Sequence, residues 1–153
     1  MDIIKSDILG GLIDSRNYDK KVVILQGCNC FHRMGAGLAK YLKSVYPEVY
    51  SADLRQTKSG DRAKLGTYST AIVDPNFHIL NCYTQYYYGR DKGVVYADYD
   101  AIRSVLRRVN LSYNNWEIRT VKLGCELANG VWDIVKNIIE EELDCQDVTI
   151  YRK

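Results

Sequence analysis

Proline, phenylalanine and histidine are scarce in this chain of 153 residues, which contains 2 Pro, 2 Phe and 2 His. With so little proline it has no proline-rich linker, and no apolar run approaches the ~20 residues that cross a membrane as a helix. Neither charge is in large excess, since 21 Lys and Arg stand against 19 Asp and Glu. A dedicated nucleic-acid surface normally needs a concentrated basic patch, which is not evident here. These absences predict one soluble, cytoplasmic domain over residues 1–153, with no membrane partner.

The five cysteines are odd in number and lie mostly inside apolar runs, which favours reduced, buried thiols over disulfide bonds. Cys28-Asn29-Cys30 places two of them close together, but zinc sites normally need a second pair, and none follows. We therefore expect neither a metal nor another cofactor. Tyrosine is abundant, with 13 Tyr against 2 Phe. Its ring and hydroxyl suit both half-buried packing and a polar aromatic ligand.

Short strand-like runs alternate with helical patterns along the whole chain, an order typical of α/β proteins. The predicted strands are residues 3–5, 22–25, 65–73, 77–83, 118–123 and 148–151. The run at 22–25 is continuously apolar, as expected of a strand that is buried on both faces. The pattern predicts a three-layer helix–sheet–helix sandwich with a mixed, mostly parallel sheet of about six strands.

Helical periodicity fills the segments between these strands. The apolar residues at helical spacing are Leu38, Tyr41, Leu42, Val45 and Tyr46 after Gly37; Ile102, Val105, Leu106 and Val109 after a predicted cap at Asp98; and Val131, Ile134, Val135, Ile138 and Ile139 near the end. A further helix is predicted to start at Pro47 and to end before the turn at residues 58–61. Residues 74–76 are predicted to form a tight turn.

A Gly-x-Gly turn follows the second predicted strand and leads into a helix. Gly35 and Gly37 let the backbone approach a ligand closely, because neither residue has a Cβ. The helix that follows offers free N–H groups and the positive end of its dipole, which favour phosphate. The GxGxxG dinucleotide pattern is not met, since Lys40 stands at the position of the third glycine. Taken alone, the element is also compatible with a simple packing turn.

A second strand–loop–helix unit begins at residues 118–123, and its loop contains Gly124 and Gly130. Both loops follow predicted parallel strands, and ligands bind at the carboxyl ends of the strands in such sheets. Two glycine-containing loops at the same edge therefore predict a two-sided clamp for a diphosphate.

Three segments together resemble the macrodomain family: Ser6-Asp7-Ile8; Asn29 followed by Gly35-Ala36-Gly37-Leu38-Ala39; and Leu123-Gly124-Cys125 followed by Leu127 and Trp132. Within that family the chain is similar to small stand-alone members of three types. These are the terminal ADP-ribose glycohydrolase type, the DNA ADP-ribosyl glycohydrolase type and the yeast-type ADP-ribose-1''-phosphate phosphatase. The resemblance runs nearly end to end, and it implies the macrodomain fold and binding of ADP-ribose or a close derivative.

The resemblance also implies roles for single residues. Asp7 would accept a hydrogen bond from the adenine amino group, with the Ile8 backbone beside it, and Asn29 would contact the distal ribose. The diphosphate would lie between Gly35, Ala36 and Gly37 on one side and the N–H groups of Gly124, Cys125, Glu126, Leu127 and Ala128 on the other. The alternatives are that Asp7 only caps the following segment and that Asn29 only braces its own loop.

Two departures from the family pattern bear on the reaction. In the terminal glycohydrolase type, a lysine after the strand that corresponds to residues 77–83 attacks the ribose C1'', and an aspartate in the second loop assists. Here those positions fall near Thr84 and Gln85 and at Ala128, and neither an amide nor a methyl group serves as nucleophile or base. Cys28-Asn29-Cys30 favours the phosphatase type, although the histidine that precedes this motif there would fall near Gln26.

His32 is the predicted general base, because it lies in the first loop and an imidazole suits proton transfer near neutral pH. The alternative is an exposed loop histidine without a role. Glu126 is the nearest acidic candidate in the second loop, and with Asn29 it completes the predicted catalytic set. His78 lies within a strand and is interpreted as structural. Residues 86–88, three consecutive tyrosines, would either close over the ligand or pack against the third helix.

We therefore expect an ADP-ribose 1''-phosphate phosphatase that releases ADP-ribose and phosphate. One alternative is a non-catalytic reader of ADP-ribose. The other is a hydrolase that removes ADP-ribose from modified protein or nucleic acid. The predicted partners are ADP-ribose or ADP-ribose 1''-phosphate and, for the alternatives, ADP-ribosylated macromolecules.

Overall fold

The computed structural model describes residues 1–5 and 19–152. Its strands are β1 (Asp2–Lys5), β2 (Val22–Cys28), β3 (Tyr68–Asp74), β4 (Phe77–Tyr83), β5 (Glu117–Thr120) and β6 (Asp147–Arg152). The described helices are α1 (Gly37–Val45), α2 (Glu48–Gln56), α3 (Tyr99–Ser112) and α4 (Trp132–Glu142), with a 3-10 turn at Arg62–Lys64. Among these elements, no helix combines the length and the apolar character needed to cross a membrane.

The six strands form one sheet in the order β1-β6-β5-β2-β4-β3. All neighbouring strands are parallel except β3, which runs antiparallel to β4. Helices α1 and α2 pack on one face of the sheet, and α3 and α4 pack on the other. The predicted fold class, a helix–sheet–helix sandwich with a mixed and mostly parallel sheet, is confirmed.

Strand β2 lies inside the sheet and is buried on both faces, as its apolar run predicts. Ile24 packs in the cluster under α1 and α2, whereas Val23 and Leu25 pack in the cluster under α3 and α4. All three side chains are fully buried. Because a strand alternates its side chains between faces, one continuous apolar run supplies both cores.

The predicted cap and turn are also present. The Asp98 Oδ1 atom accepts a hydrogen bond from the Ala101 N–H at 3.0 Å and caps α3. Between β3 and β4, the Asn76 N–H donates to the Asp74 Oδ2 atom at 2.8 Å, which closes the tight turn. In both places an aspartate satisfies a main-chain donor, which is the reason for predicting these positions from the sequence.

Some predicted boundaries are wrong. Strand β3 begins at Tyr68 rather than at residue 65, because the 3-10 turn and then Gly66, with φ +82°, come first. Strand β5 ends at Thr120 rather than at residue 123. Val45 and Val131, both at the ends of apolar stripes, stay exposed, since neighbouring elements cover helix ends less than helix centres.

Candidate ligand-binding site

Three loops meet at the carboxyl edge of the parallel strands. We call them loop A (residues 29–36, after β2), loop B (84–98, after β4) and loop C (121–131, after β5). Strand β2 pairs in parallel with both β4 and β5, so all three loops leave the sheet at the same edge. This edge is where α/β sheets bind their ligands.

Loops A and C come into contact at their glycine turns. A methyl group placed on Gly37 would lie 3.6 Å from the Leu127 Cδ1 atom. Gly37 has φ +59°, a backbone conformation that side chains other than glycine rarely adopt. Among the described residues, no atom lies within 4 Å of the position that a Cβ on Gly35 would take. The two predicted turns are therefore neighbours, with room for a ligand beside Gly35.

Loop C folds into a turn that leaves main-chain donors unused. The Gly130 N–H donates to the Gly124 oxygen at 2.8 Å, and the Asn129 N–H donates to the Glu126 oxygen at 3.2 Å. Among the described residues, no acceptor is found for the N–H groups of Glu126, Leu127 and Ala128. Free amides at a turn form a binding place for anions.

Loop A supplies a second set of donors from the start of helix α1. The residue before the helix, Ala36, makes no capping hydrogen bond through its side chain. The first N–H groups of a helix have no partner within it, and the helix dipole adds positive potential at that end. Loops A and C, which come together where Gly37 adjoins Leu127, thus each have main-chain N–H groups suited to an anion.

Loop B connects these two walls through main-chain hydrogen bonds. The Tyr86 oxygen accepts from the Cys30 N–H of loop A at 3.0 Å. At the other end of loop B, the Tyr96 N–H donates to the Ala128 oxygen of loop C at 2.8 Å. The Asn129 side chain also donates to the Val94 oxygen at 2.7 Å. The three loops therefore form one hydrogen-bonded rim.

Asn29 is largely buried and braces its own loop. Its Oδ1 atom accepts from the Phe31 N–H at 2.9 Å and from the Arg33 N–H at 3.4 Å, and its Nδ2 atom donates to the Arg33 oxygen at 2.9 Å. An amide nitrogen carries two hydrogens, so one donor of Asn29 remains for a ligand. Asn29 can therefore brace loop A and contact a ribose at the same time.

His32 turns toward helix α2, where it meets a buried carboxylate. Its Nδ1 atom lies 3.1 Å from the Asp53 Oδ2 atom, and the Asp53 side chain is 1% exposed. The approach falls outside hydrogen-bond geometry, so the contact is electrostatic, and it becomes an ion pair when the imidazole is protonated. The Tyr50 hydroxyl donates a hydrogen bond to the main-chain oxygen of His32 at 3.1 Å, and the φ angle of His32 is +57°. Two residues of α2 thus hold His32 in a conformation that histidine seldom adopts.

Asp53 also ends a buried chain of hydroxyl and amide groups. The Tyr83 hydroxyl donates to its Oδ1 atom at 2.6 Å. The Ser69 hydroxyl, 2.8 Å from the Tyr83 oxygen, must then donate to it, and Ser69 in turn accepts from Asn81 at 3.0 Å. Burial raises the pKa of Tyr83, and so does the hydrogen bond to Asp53. The hydroxyl therefore stays protonated, and Asp53 keeps a strong donor.

The thiols of Cys28 and Cys30 point into the protein. Burial raises the pKa of Cys28, and it raises the pKa of Cys30 to about 11. The Cys30 Sγ atom donates to the Gln85 oxygen at 3.5 Å. Burial also raises the pKa of Cys125 to about 11. Thiols in this state are poor nucleophiles, because the thiolate is the reactive form.

The remaining predicted residues take different positions. Glu126 is exposed in loop C, and the Ala128 methyl group is buried. Thr84 is fully buried, and the Gln85 side chain donates to the Tyr87 oxygen at 2.9 Å. The predicted adenine contacts, Asp7 and Ile8, lie outside the described residues.

The three tyrosines of loop B pack on Phe31 of loop A. The ring centroid of Phe31 lies 4.9 Å from that of Tyr86 and 5.1 Å from that of Tyr87, in edge-on geometry. Tyr87 and Tyr88 stack with centroids 4.9 Å apart, and both are exposed. We call these four rings the aromatic cluster. The described ring contacts are with loop A rather than with α3, and closure of the tyrosines over a ligand stays a prediction.

A surface cavity of about 550 Å³ lies beside loop B, lined by Tyr86, Tyr87 and residues 95–100. It includes no residue of loop A or loop C. The candidate site between loops A and C therefore rests on neighbouring main-chain donors rather than on this cavity.

Comparison with solved structures defines the class of this protein as one with the macrodomain fold. The macrodomain of Thermus aquaticus DarG matches with a TM-score of 0.74 at 16% identity, over 99% of this chain and 97% of that one. Thermosipho africanus DarTG, solved in complex with ADP-ribose, matches with a TM-score of 0.71 at 19% identity, over 97% of this chain and 40% of that one. A protein of unknown function from Bacteroides thetaiotaomicron matches with a TM-score of 0.81 at 28% identity, over 98% of this chain and 96% of that one.

The chain belongs to the family of the uncharacterized 17.5 kDa protein in the tk-vs intergenic region of Enterobacteria phage T4. The two are 32% identical over 146 residues, which is 90% of this chain and 86% of that protein. No family model matches the chain.

Asp53 is the residue of this region that the sequence analysis missed. A signal for it exists in helix α2, where Val49, Ala52 and Asp53 are spaced to share one face, and all three are buried. A carboxylate on the apolar face of a helix needs partners, because an unpaired buried charge is costly. The sequence does not say that the partners are His32 and Tyr83, which come from loop A and strand β4.

Proposed function

We propose that the protein binds ADP-ribose, with its diphosphate between loops A and C. The observation that carries this proposal is that Gly37, at the start of helix α1, adjoins Leu127 of loop C, and that both turns have main-chain N–H groups without an acceptor among the described residues. A diphosphate needs several donors and positive potential, and both walls offer them. The fold shared with a protein solved in complex with ADP-ribose supports the same ligand. Asp7 and Ile8 are proposed to contact the adenine, and Asn29 the distal ribose.

Isothermal titration calorimetry tests the ligand. We expect ADP-ribose to bind at least about tenfold more tightly than AMP, ATP or NAD, because only ADP-ribose fills the site from adenine to a free distal ribose. AMP serves as the matched control, since it has the adenine but no diphosphate. Equal affinities for AMP and ADP-ribose, or no heat with any of the four, would contradict the proposal.

We further propose that the site removes the phosphate from ADP-ribose 1''-phosphate. Water attacks the phosphorus, the bond between phosphorus and the oxygen on C1'' breaks, and ADP-ribose and inorganic phosphate are released. His32 is assigned as the base that takes the proton from water and returns it to the leaving oxygen. Asp53 supports this role, because a carboxylate stabilises the imidazolium that forms. Asn29 orients the ribose, and Glu126 is the second acidic candidate.

Phosphate release by a His32→Asn variant tests this reaction. Asparagine tolerates a positive φ, so the loop should keep its shape. We expect the rate to fall by at least about a hundredfold, the usual contribution of a general base. Affinity for ADP-ribose should change little, which separates loss of chemistry from loss of binding. Glu126→Gln is the parallel variant, and a larger loss there than at His32 would reassign the base.

Two alternatives remain as outcomes of the same measurements. The first alternative is a non-catalytic reader. It is favoured because buried Thr84 and Ala128 stand where the terminal glycohydrolase type has its lysine and its aspartate. It predicts ADP-ribose binding without phosphate release. A water-mediated hydrolase predicts instead that ADP-ribose is freed from modified protein or nucleic acid.

A further inference from the structure

Two arginines next to the aromatic cluster lie against tyrosine rings instead of carboxylates. The Arg62 guanidinium carbon is 3.8 Å from the Tyr86 ring centroid, and that of Arg33 is 5.5 Å from the Tyr88 centroid. Within residues 1–5 and 19–152, neither guanidinium has a carboxylate partner. The neighbour of Arg62, Asp61, is engaged with the Ala63 N–H at 2.9 Å. Both arginine side chains are exposed, and within the described residues no ion pair takes up their charge.

Arg103 and Arg107 of helix α3 behave differently. Arg103 reaches Glu141 at 2.7 Å, and Arg107 reaches Glu142 at 2.9 Å. A guanidinium that lies against a ring keeps the N–H groups at its edge available to donate. Arg33 and Arg62 therefore carry N–H donors with no carboxylate acceptor among the described residues, and such donors can bind an anion.

Both arginines are attached to the part of loop A that is proposed to hold the distal ribose. The backbone of Arg33 is bonded on both sides to the Asn29 side chain. Arg62 lies on Tyr86, whose main-chain oxygen accepts from Cys30, the residue after Asn29. The Tyr86 hydroxyl also donates to the Gly60 oxygen at 2.9 Å, which ties Arg62 to the same rim.

We propose that Arg33 and Arg62 form a subsite for a phosphate monoester on the distal ribose, and that they select ADP-ribose 1''-phosphate over ADP-ribose. The inference rests on the proposed function, since it adds a specificity site to the same groove. A terminal phosphate has three oxygens and about two negative charges, which match two planar guanidinium donors. ADP-ribose has a neutral hydroxyl at that position and gains nothing from them.

Affinities of the two ligands measured side by side test this subsite. We expect wild-type protein to bind ADP-ribose 1''-phosphate at least about tenfold more tightly than ADP-ribose, the effect of one charge-assisted hydrogen bond. In an Arg33→Gln, Arg62→Gln double variant the preference should fall to within about twofold. Its affinity for ADP-ribose itself should stay unchanged. Arg107→Gln is the matched control, and it should keep the full preference.

Several outcomes would overturn the proposal. One is a double variant that keeps the preference, and another is a wild-type protein that binds both ligands equally. A third is a double variant that unfolds at the wild-type temperature but loses affinity for both ligands equally. That result would mean that the arginines maintain the shape of the rim instead of binding the phosphate. If the double variant does not fold, the Arg62→Lys variant is measured in its place. If that variant keeps the full preference for ADP-ribose 1''-phosphate over ADP-ribose, the planar guanidinium of Arg62 is not needed and the proposal is contradicted. Absence of binding to either ligand by wild-type protein would remove the proposed function itself, a result distinct from all of these.

Discussion

Replacement of Asp53 by alanine is expected to lower the free energy of unfolding by about 3 to 5 kcal/mol. The carboxylate is 1% exposed and faces His32 at 3.1 Å and the Tyr83 hydroxyl at 2.6 Å. Its removal takes the charged acceptor from the Tyr83 hydroxyl, which is left with the neutral hydroxyls of Ser69 and Thr57, and it opens a cavity under loop A. Urea denaturation followed by fluorescence measures the change.

Asp61→Ala is the matched control for this prediction. Asp61 is an exposed aspartate that caps the 3-10 turn through the Ala63 N–H, and its loss should reduce the free energy of unfolding by no more than about 1 kcal/mol. A loss as small as this in Asp53→Ala would show that the buried chain of hydroxyls does not depend on the carboxylate. Tyr83→Phe, which removes one donor and keeps the ring, should fall between the two.

Replacement of Gly130 by alanine is expected to weaken ADP-ribose binding by about a hundredfold or more. The added methyl group would lie 2.5 Å from the Gly124 oxygen, closer than any ordinary contact. The two ends of loop C must then separate, which breaks the hydrogen bond that closes the turn. The N–H groups of residues 126–128 would then change their position relative to loop A. Calorimetry with ADP-ribose measures the loss.

Gly35→Ala distinguishes loss of loop shape from contact with the ligand. Its methyl group meets no atom of the described residues within 4 Å, so the free energy of unfolding should stay at the wild-type value. Any loss of affinity there reports that the ligand approaches Gly35 itself. Gly130→Ala with wild-type affinity would instead mean that the geometry of loop C is irrelevant to binding.

The parts of the fold that the sequence predicts are those with a local cause. Asp98 and the Asp74–Asn76 turn are predicted correctly because a side chain satisfies a main-chain group a few residues away. Strand β4 is predicted with its observed bounds, Phe77–Tyr83, because aromatic residues stand at both ends and mostly apolar residues lie between them. Strand β3 is predicted three residues too early, since the turn of Gly66 does not interrupt the hydrophobic pattern.

For the candidate site, the glycine turns can be predicted because they follow parallel strands. That placement brings Gly37 and Leu127 together even though 90 residues separate them in the chain. The surroundings of His32 cannot be predicted in this way, because its partner Asp53 lies on a different element and no spacing rule connects them. The positions of Arg33 and Arg62 likewise depend on how loop B packs on loop A.

Loop B joins the walls of the site at both of its ends, through Cys30 and Tyr86 on one side and Ala128 and Tyr96 on the other. A hinge-like opening of loop A away from loop C would have to break main-chain hydrogen bonds. The described part of the rim is therefore preorganised, and little ordering entropy remains to be lost when a ligand arrives. The rim then needs no rearrangement after the ligand arrives. We therefore expect variants of this rim to differ in affinity mainly through the dissociation rate of the ligand.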